Sequence, residues 1–368
     1  MLAEDLLERL VGFRTVVGTT NINLMSFVSD YLKTHGIDAH RMPGPESDRE
    51  NLFATIGDPG RPGYILSGHV DVVPAMEPDW RGDPFVLRHE GDRLIARGAC
   101  DMKGYVAAML SAVPDLSGMT LQTPIHLSLS YDEEAGCKGV PHLIEALPDL
   151  CAKPIGCFVG EPTELQPVLA HKGKAALRLV ATGVSGHSAR PDLGENAIHA
   201  LIPALAEVSR QAERLAEGPK DTRFEPASST IQIGTVTGGQ AVNIIPDRAE
   251  AHIEARSIAG ANPRDILAPI IAKTGKNVFV EWLSTYPSLA LEETSDLARL
   301  CTTLAGKTPR QAVSFGTEAG LFQEAGIPSI ICGPGNIDRA HRPEEFLKRD
   351  ELEATRRFIM KLGKGLSV

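Results

Sequence analysis

In "GHVDVVP", residues 68–74, a histidine and an aspartate stand two residues apart at the end of an apolar run. On an extended strand, positions i and i+2 share a face, so His69 and Asp71 would lie side by side. That pairing suits a metal ligand backed by an orienting carboxylate, and it equally suits a polar strand end in solvent. Four more stretches carry groups of the same chemistry. Asp101 lies in "ARGACDMKG", Glu133 and Glu134 in "LSYDEEAGCKG", Glu161 in "CFVGEPTE" and His341 in "CGPGNIDRAHRPEE". Any one of them alone is an ordinary loop residue, because surface loops are rich in acids. Together, two histidines and several carboxylates make a nitrogen and oxygen donor set that suits a pair of Zn²⁺, Mn²⁺ or Co²⁺ ions.

Such a set needs rigid elements to bring it together. "YILSGHVDVV" and "PIHLSLSYDEE" predict buried strands, "MKGYVAAMLSAV" and "GVPHLIEALPDL" predict helices, and this alternation predicts an α/β layer fold. Open α/β sheets place ligands beyond the carboxyl ends of their strands, where the candidate residues fall. From Gly173 the pattern changes. "KAALRLVATGV", "STIQIGTVTGG", "RAEAHIEARS" and "NVFVEWL" predict strands, and "GENAIHALIPALAEVSRQAERL" and "NPRDILAPIIAKTG" predict helices. The resulting β-α-β-β-α-β order is that of a ferredoxin-like α+β domain. "PSIICGPG" then predicts one more strand of the first domain. The expected organisation is a catalytic domain of residues 1–173 and 286–368, interrupted by an inserted domain of residues 174–285.

A chain of 368 residues can bury two cores, and a net charge of -10 argues against a nucleic-acid or anionic-membrane partner. A mean hydropathy of -0.08 leaves no room for a membrane span, and "MLAEDLLERLVGF" has the acid–leucine spacing of an amphipathic helix rather than a signal peptide. The six cysteines form no C-x-x-C pair, which predicts reduced thiols in a cytoplasmic protein and no thiolate zinc site.

In order along the chain, "SGHVDVVP", "RGACDMKG", "DEEAGCKG", "GEPTE", "GHSARP", "GGQAVNIIPD" and "AHRPEEF" resemble the motifs of the M20 metallopeptidase family, and the resemblance covers nearly the whole length. It implies a dizinc aminopeptidase-like α/β catalytic domain with an inserted dimerisation or lid domain, and two divalent ions per subunit, Zn²⁺ first and Co²⁺ or Mn²⁺ as alternatives. His69, Asp101 and Glu161 would hold one ion, Asp101, Glu134 and His341 the other, with Asp101 bridging and Asp71 orienting His69. Glu133 would be the general base, taking a proton from the attacking water and returning it to the leaving amine. His187, in "SGHSARP", would stabilise the tetrahedral intermediate in the site of the other subunit of a homodimer joined through the inserted domain. Asn243 and Arg256 match positions that face the substrate, an Arg there being able to clamp a carboxylate bidentately, and Thr317 is a weaker match of the same kind. The alternatives for Asn243 and Arg256 are a turn asparagine and a strand-end salt bridge.

The implied substrate is a small N-acyl amino acid. "VSFGTEAGLFQEAGIPSIICGPGNIDRAHRPEEFL" looks most like members that cleave N2-acetyl-L-ornithine, with succinyl-diaminopimelate, acetylcitrulline or a dipeptide as the alternatives. A non-catalytic metabolite-binding dimer is disfavoured, because clustered carboxylates without cations would repel strongly.

Overall fold

The structure, a computed structural model, describes residues 1–76 and 78–368. The apolar run ending in His69 forms the strand Tyr64–His69, and its two neighbours, Ile125–Ser130 and Gly156–Pro162, both run parallel to it. Strands covered on both faces carry continuous apolar sequence, which is why Ile65, Leu66, Leu127 and Val159 are all buried. Antiparallel Glu50–Ile56 and Ala39–Pro43 extend the sheet on one side, and parallel Ser329–Gly333 closes it on the other. The sheet is therefore mixed, with its parallel centre carrying the ends of interest.

The helix Lys103–Ser117 packs against this centre and is buried over most of its length. Its Tyr105 is accommodated by Gly160: a Cβ built there would come within 2.1 Å of the tyrosine ring. The missing side chain in Gly156–Pro162 is thus a packing requirement, not a source of flexibility. The predicted amino-terminal helix, Ala3–Gly12, buries Leu6, Leu7 and Leu10 in the same core.

Two compact units are resolved, Met1–Ala170 with Leu291–Gln311 and Thr317–Val368, and His171–Ala290 with Ala312–Gly316. Residues 312–316, expected with the catalytic part, group with the second unit because Val313 bridges to His171 and Gly316 leaves room for the Tyr286 ring. In this second unit Gly173–Thr182, Thr230–Gly238, Arg248–Ser257 and Val278–Tyr286 form an antiparallel sheet in the order second, third, first, fourth. That is the ferredoxin-like arrangement. Helices Ala197–Glu217 and Pro263–Ile271 pack on it through Leu201, Val208, Ile266 and Leu267, against Leu177, Leu179 and Ile253. The α/β fold with an inserted α+β domain thus stands as the sequence predicted. Among the described residues no helix is long and apolar enough to cross a membrane.

Candidate metal centre

His69 is the last residue of its strand, so Asp71 lies beyond it and the same-face geometry does not apply. The ring is oriented by Asp71 all the same, mainly through the backbone: His69 Nδ1 is 3.0 Å from the Asp71 carbonyl oxygen and 3.5 Å from its carboxylate. A bond from Nδ1–H to a carbonyl leaves Nε2 with a free lone pair, the tautomer a metal ligand needs. The freed Asp71 carboxylate accepts the amide N–H groups of Glu133 and Glu134, each at 3.1 Å.

Those two acids do not continue the strand as expected. Ile125–Ser130 ends before them, and the chain turns at Asp132, whose φ of 50° lies in the left-handed region that aspartate tolerates. The turn sends the neighbouring carboxylates into different groups. Donor atoms of His69, Glu133 and Glu161 lie within 4.8 Å of one another, and so do those of His69, Asp101 and Glu134. These clusters cut across the two ligand sets that the resemblance implies.

Asp101 stands at the start of the helix Lys103–Ser117 rather than at a sheet edge, which corrects the picture of a donor set carried wholly by strand ends. Its carboxylate faces two ways: Oδ1 is 3.1 Å from His69 Nε2, and Oδ2 is 3.4 Å from His341 Nε2. His341, at φ 57°, also lies 3.0 Å from Glu134 Oε1, while His69 Nε2 is 3.8 Å from Glu161.

Burial and crowding set the electrostatics. Glu161 and Glu133 are pushed well above the usual carboxylate range by desolvation and then by like charges, those of Asp101 and Glu133 on Glu161 and of Glu134 and Asp71 on Glu133. Glu134 rises to about 7 for the same reasons, burial first and the Asp101 charge next. Asp101 is buried too, but its bonds to His341 and His69 overcome that and lower it. Hydrogen bonds to Asp101 and Glu134 lift His341 to about 10, and His69 is held well above its ordinary value because its bonds to Asp101 and Asp71 outweigh burial.

One further acid, missed in the sequence, belongs to this region. Glu318 is buried and accepts hydrogen bonds from Ser67 Oγ at 2.5 Å and Ser130 Oγ at 2.7 Å, beside the ends of the two strands that precede the donor residues. Lys103, at the start of the helix that follows Asp101, is buried with its ammonium on the carbonyls of Leu10 and Phe13, and burial lowers it to about 7. Among the described residues, the ion pairs that Asp71, Asp101, Glu134 and Glu161 make are with His69 and His341. A buried group of this many carboxylates is stable when cations balance it, and an oxygen-rich set with two imidazoles fits divalent transition ions.

The remaining predicted residues fall elsewhere. Thr317 is fully buried in the first unit and its hydroxyl accepts the Ala319 amide, an engagement within the fold. His187, Asn243 and Arg256 are in the second unit. His187 and Asn243 sit on adjoining exposed loops, tied by the Ser188 amide to the Asn243 carbonyl at 3.1 Å and by a bridge between His187 and Ile244. Arg256 is half-buried, giving Nε to Glu254 at 2.8 Å and Nη1 to the Tyr286 hydroxyl at 3.0 Å.

Known proteins are similar to this chain in sequence and in fold. The sequence model of peptidase family M20/M25/M40 matches residues 65–364. An acetylornithine deacetylase from Proteus mirabilis (strain HI4320) is 32% identical over 352 residues, 93% of this chain and 89% of its own. Another, from Edwardsiella ictaluri (strain 93-146), is 31% identical over 93% of this chain and 90% of its own. The fold is shared with an M20 family metallo-carboxypeptidase from Sulfolobus solfataricus, at a TM-score of 0.80 and 19% identity over 98% of both chains. A dinuclear metal-binding M20 peptidase from Bacillus subtilis gives a TM-score of 0.65 and 15% identity over 99% of this chain and 98% of its own. Matched over most of its length, and with relatives above 30% identity along 93% of it, the chain belongs to peptidase family M20/M25/M40, a family of metal-dependent hydrolases.

Proposed function

We propose that the protein removes the acetyl group from N2-acetyl-L-ornithine, giving L-ornithine and acetate as in arginine biosynthesis, with two divalent ions bound per subunit. The observation that supports a two-ion centre best is Asp101, which turns one oxygen to His69 and the other to His341. The substrate rests on the relatives named acetylornithine deacetylase at about 30% identity.

His69, Asp101 and Glu161 would hold one ion and Asp101, Glu134 and His341 the other; Zn²⁺ suits the nitrogen and oxygen donors, as do Co²⁺ and Mn²⁺. When bound, such ions polarise the amide carbonyl and offset charge on its oxygen. Glu133 does the proton work: it takes a proton from the attacking water and hands it to the departing amine. A carboxylate beside the centre can take a proton from water and return it to an amine. Asp71, through the amides of Glu133 and Glu134, fixes the turn that aims the base.

His187 is assigned to the developing oxyanion in the other subunit of a homodimer built through the inserted domain, with Asn243 and Arg256 holding the substrate. The six free cysteines fit a reducing compartment, and we place the protein in the cytoplasm.

The test is release of free amine by the metal-loaded protein from N2-acetyl-L-ornithine, beside acetylcitrulline, succinyl-diaminopimelate and an unblocked dipeptide. Selective turnover of acetylornithine that a chelator abolishes supports the proposal. Turnover of another member alone keeps the reaction and moves the substrate, while silence on all four overturns the catalytic reading.

A further inference from the structure

Behind the Asp101 carboxylate lies a buried ion pair that the chemistry above does not use. Arg97 and Glu345 are each 1% exposed, and Arg97 Nη1 meets Glu345 Oε2 at 2.9 Å. The other carboxylate oxygen, Oε1, accepts two backbone N–H groups, that of Cys100 at 2.9 Å and that of Asp101 at 3.0 Å. The guanidinium also reaches the Arg342 and Pro74 carbonyls, each at 3.3 Å, and lies over the Trp80 ring at 5.3 Å. Antiparallel pairing of Phe346–Lys348 with Arg93–Ile95 anchors the chain on both sides of this contact.

We propose that Glu345 is a positioning residue for the metal centre, its Oε1 fixing the backbone from which Asp101 presents one oxygen to each histidine. The proposal rests on the two-ion reading given above. A carboxylate collecting consecutive amides makes a rigid cradle, and Asp101 leaves its backbone only one rotatable carbon from that cradle. Because Asp101 comes within 3.4 Å of both histidines, a loosened backbone there disturbs both ions together. Loss of Glu161, which lies beside His69, disturbs chiefly one. Arg97 extends the same cradle to the residue that follows His341.

The competing account is a buried ion pair that merely staples the fold. Pairs of this kind are often replaced by apolar residues without loss of stability, so charge and acceptor can be separated. R97M/E345Q removes both charges and keeps an amide oxygen at the Oε1 position, whereas R97M/E345M removes the acceptor as well. Metal-free protein is titrated with Zn²⁺ by calorimetry, and with Co²⁺ followed by its visible absorption; melting temperatures are taken in parallel. R97M/E345Q is expected to bind both Zn²⁺ equivalents within about threefold of wild type and keep the Co²⁺ spectrum. R97M/E345M is expected to lose about tenfold or more in both equivalents, with a changed spectrum.

Equal metal binding by the two variants, or loss confined to one equivalent, overturns the proposal. If R97M/E345M does not fold, E345D serves in its place: it keeps the charge and draws the acceptor back by one carbon, so it too should weaken both equivalents. A wild-type protein that takes up fewer than two Zn²⁺ ions overturns the two-ion reading itself, an outcome visible before any variant is made.

Discussion

Asp71 holds Glu133 by the backbone: a carboxylate oxygen of Asp71 accepts the Glu133 amide N–H at 3.1 Å, while the Asp71 carbonyl orients His69. One residue therefore sets the attitude of the proposed ligand His69 and of the proposed base Glu133. D71N keeps the size but swaps one acceptor for a donor facing an amide donor. We expect kcat to fall about 10- to 100-fold with KM little changed and metal content near normal. Steady-state kinetics beside metal analysis checks this, and loss of metal in proportion to activity would count against a role in aiming the base.

E133Q should cost about 10²- to 10⁴-fold in kcat while the metal stays bound. If His187 serves the opposite subunit, mixing E133Q with H187A restores activity, because one site of each mixed dimer has both groups. Random exchange gives about a quarter of the sites intact. No recovery after proven exchange would assign His187 to its own subunit or to neither.

Metal removal should make stability depend on pH in a defined direction. In the metal-free chain Glu133, Glu134 and Glu161 have raised values, Glu134 about 7, so protonation suits the fold and ionisation does not. Their contribution is present below the ordinary carboxylate value and is lost as pH rises through the raised one. The gap in melting temperature between metal-loaded and chelated protein should therefore widen from pH 5 to pH 8, as scanning calorimetry can show.

Near the start of the strand Ile125–Ser130, His126 should govern part of the acid limb of stability. Its ring is buried, stacks on Phe53 at 5.3 Å, contacts Thr55 Oγ1 through Nδ1 at 2.9 Å, and is pushed down to about 4 by burial. The folded value lies below the unfolded one, so stability is complete above about pH 6.5 and is lost as pH falls toward 4, by up to about 3 kcal/mol. H126L should flatten this limb relative to wild type, measured as the difference between their melting curves across that range.

That His69, Glu134, Glu161 and His341 come together was legible in the sequence because strand ends in an α/β sheet converge, so each could be paired with the run before it. The two-domain plan was legible from the change of periodicity near Gly173. The supporting acids were not. Glu318 and Glu345 read as ordinary acids because their partners, Ser67 and Ser130 for one and the amides of Cys100 and Asp101 for the other, are distant in the chain. In "RPEEF" the first glutamate pairs with Arg88 near the surface while the second is sealed inside, and nothing local distinguishes them. The small residues around Glu318 in "FGTEAG" are a faint signal, and Arg97, the partner of Glu345, lies 248 positions away along the chain. The path of Asp71 was misjudged for a simpler reason: strand length depends on where pairing stops, and it stops at His69.

His341 differs from its companions in one respect. Its side chain is 49% exposed, while those of His69, Asp101, Glu134 and Glu161 are at most 7% exposed. An ion held as proposed by His341 would have one ligand that can swing into solvent and be replaced by water, whereas one held by His69 and Glu161 would have to wait for the protein to open. The two ions would then exchange on different clocks, and under a weak chelator the enzyme would pass through a half-loaded form before it emptied.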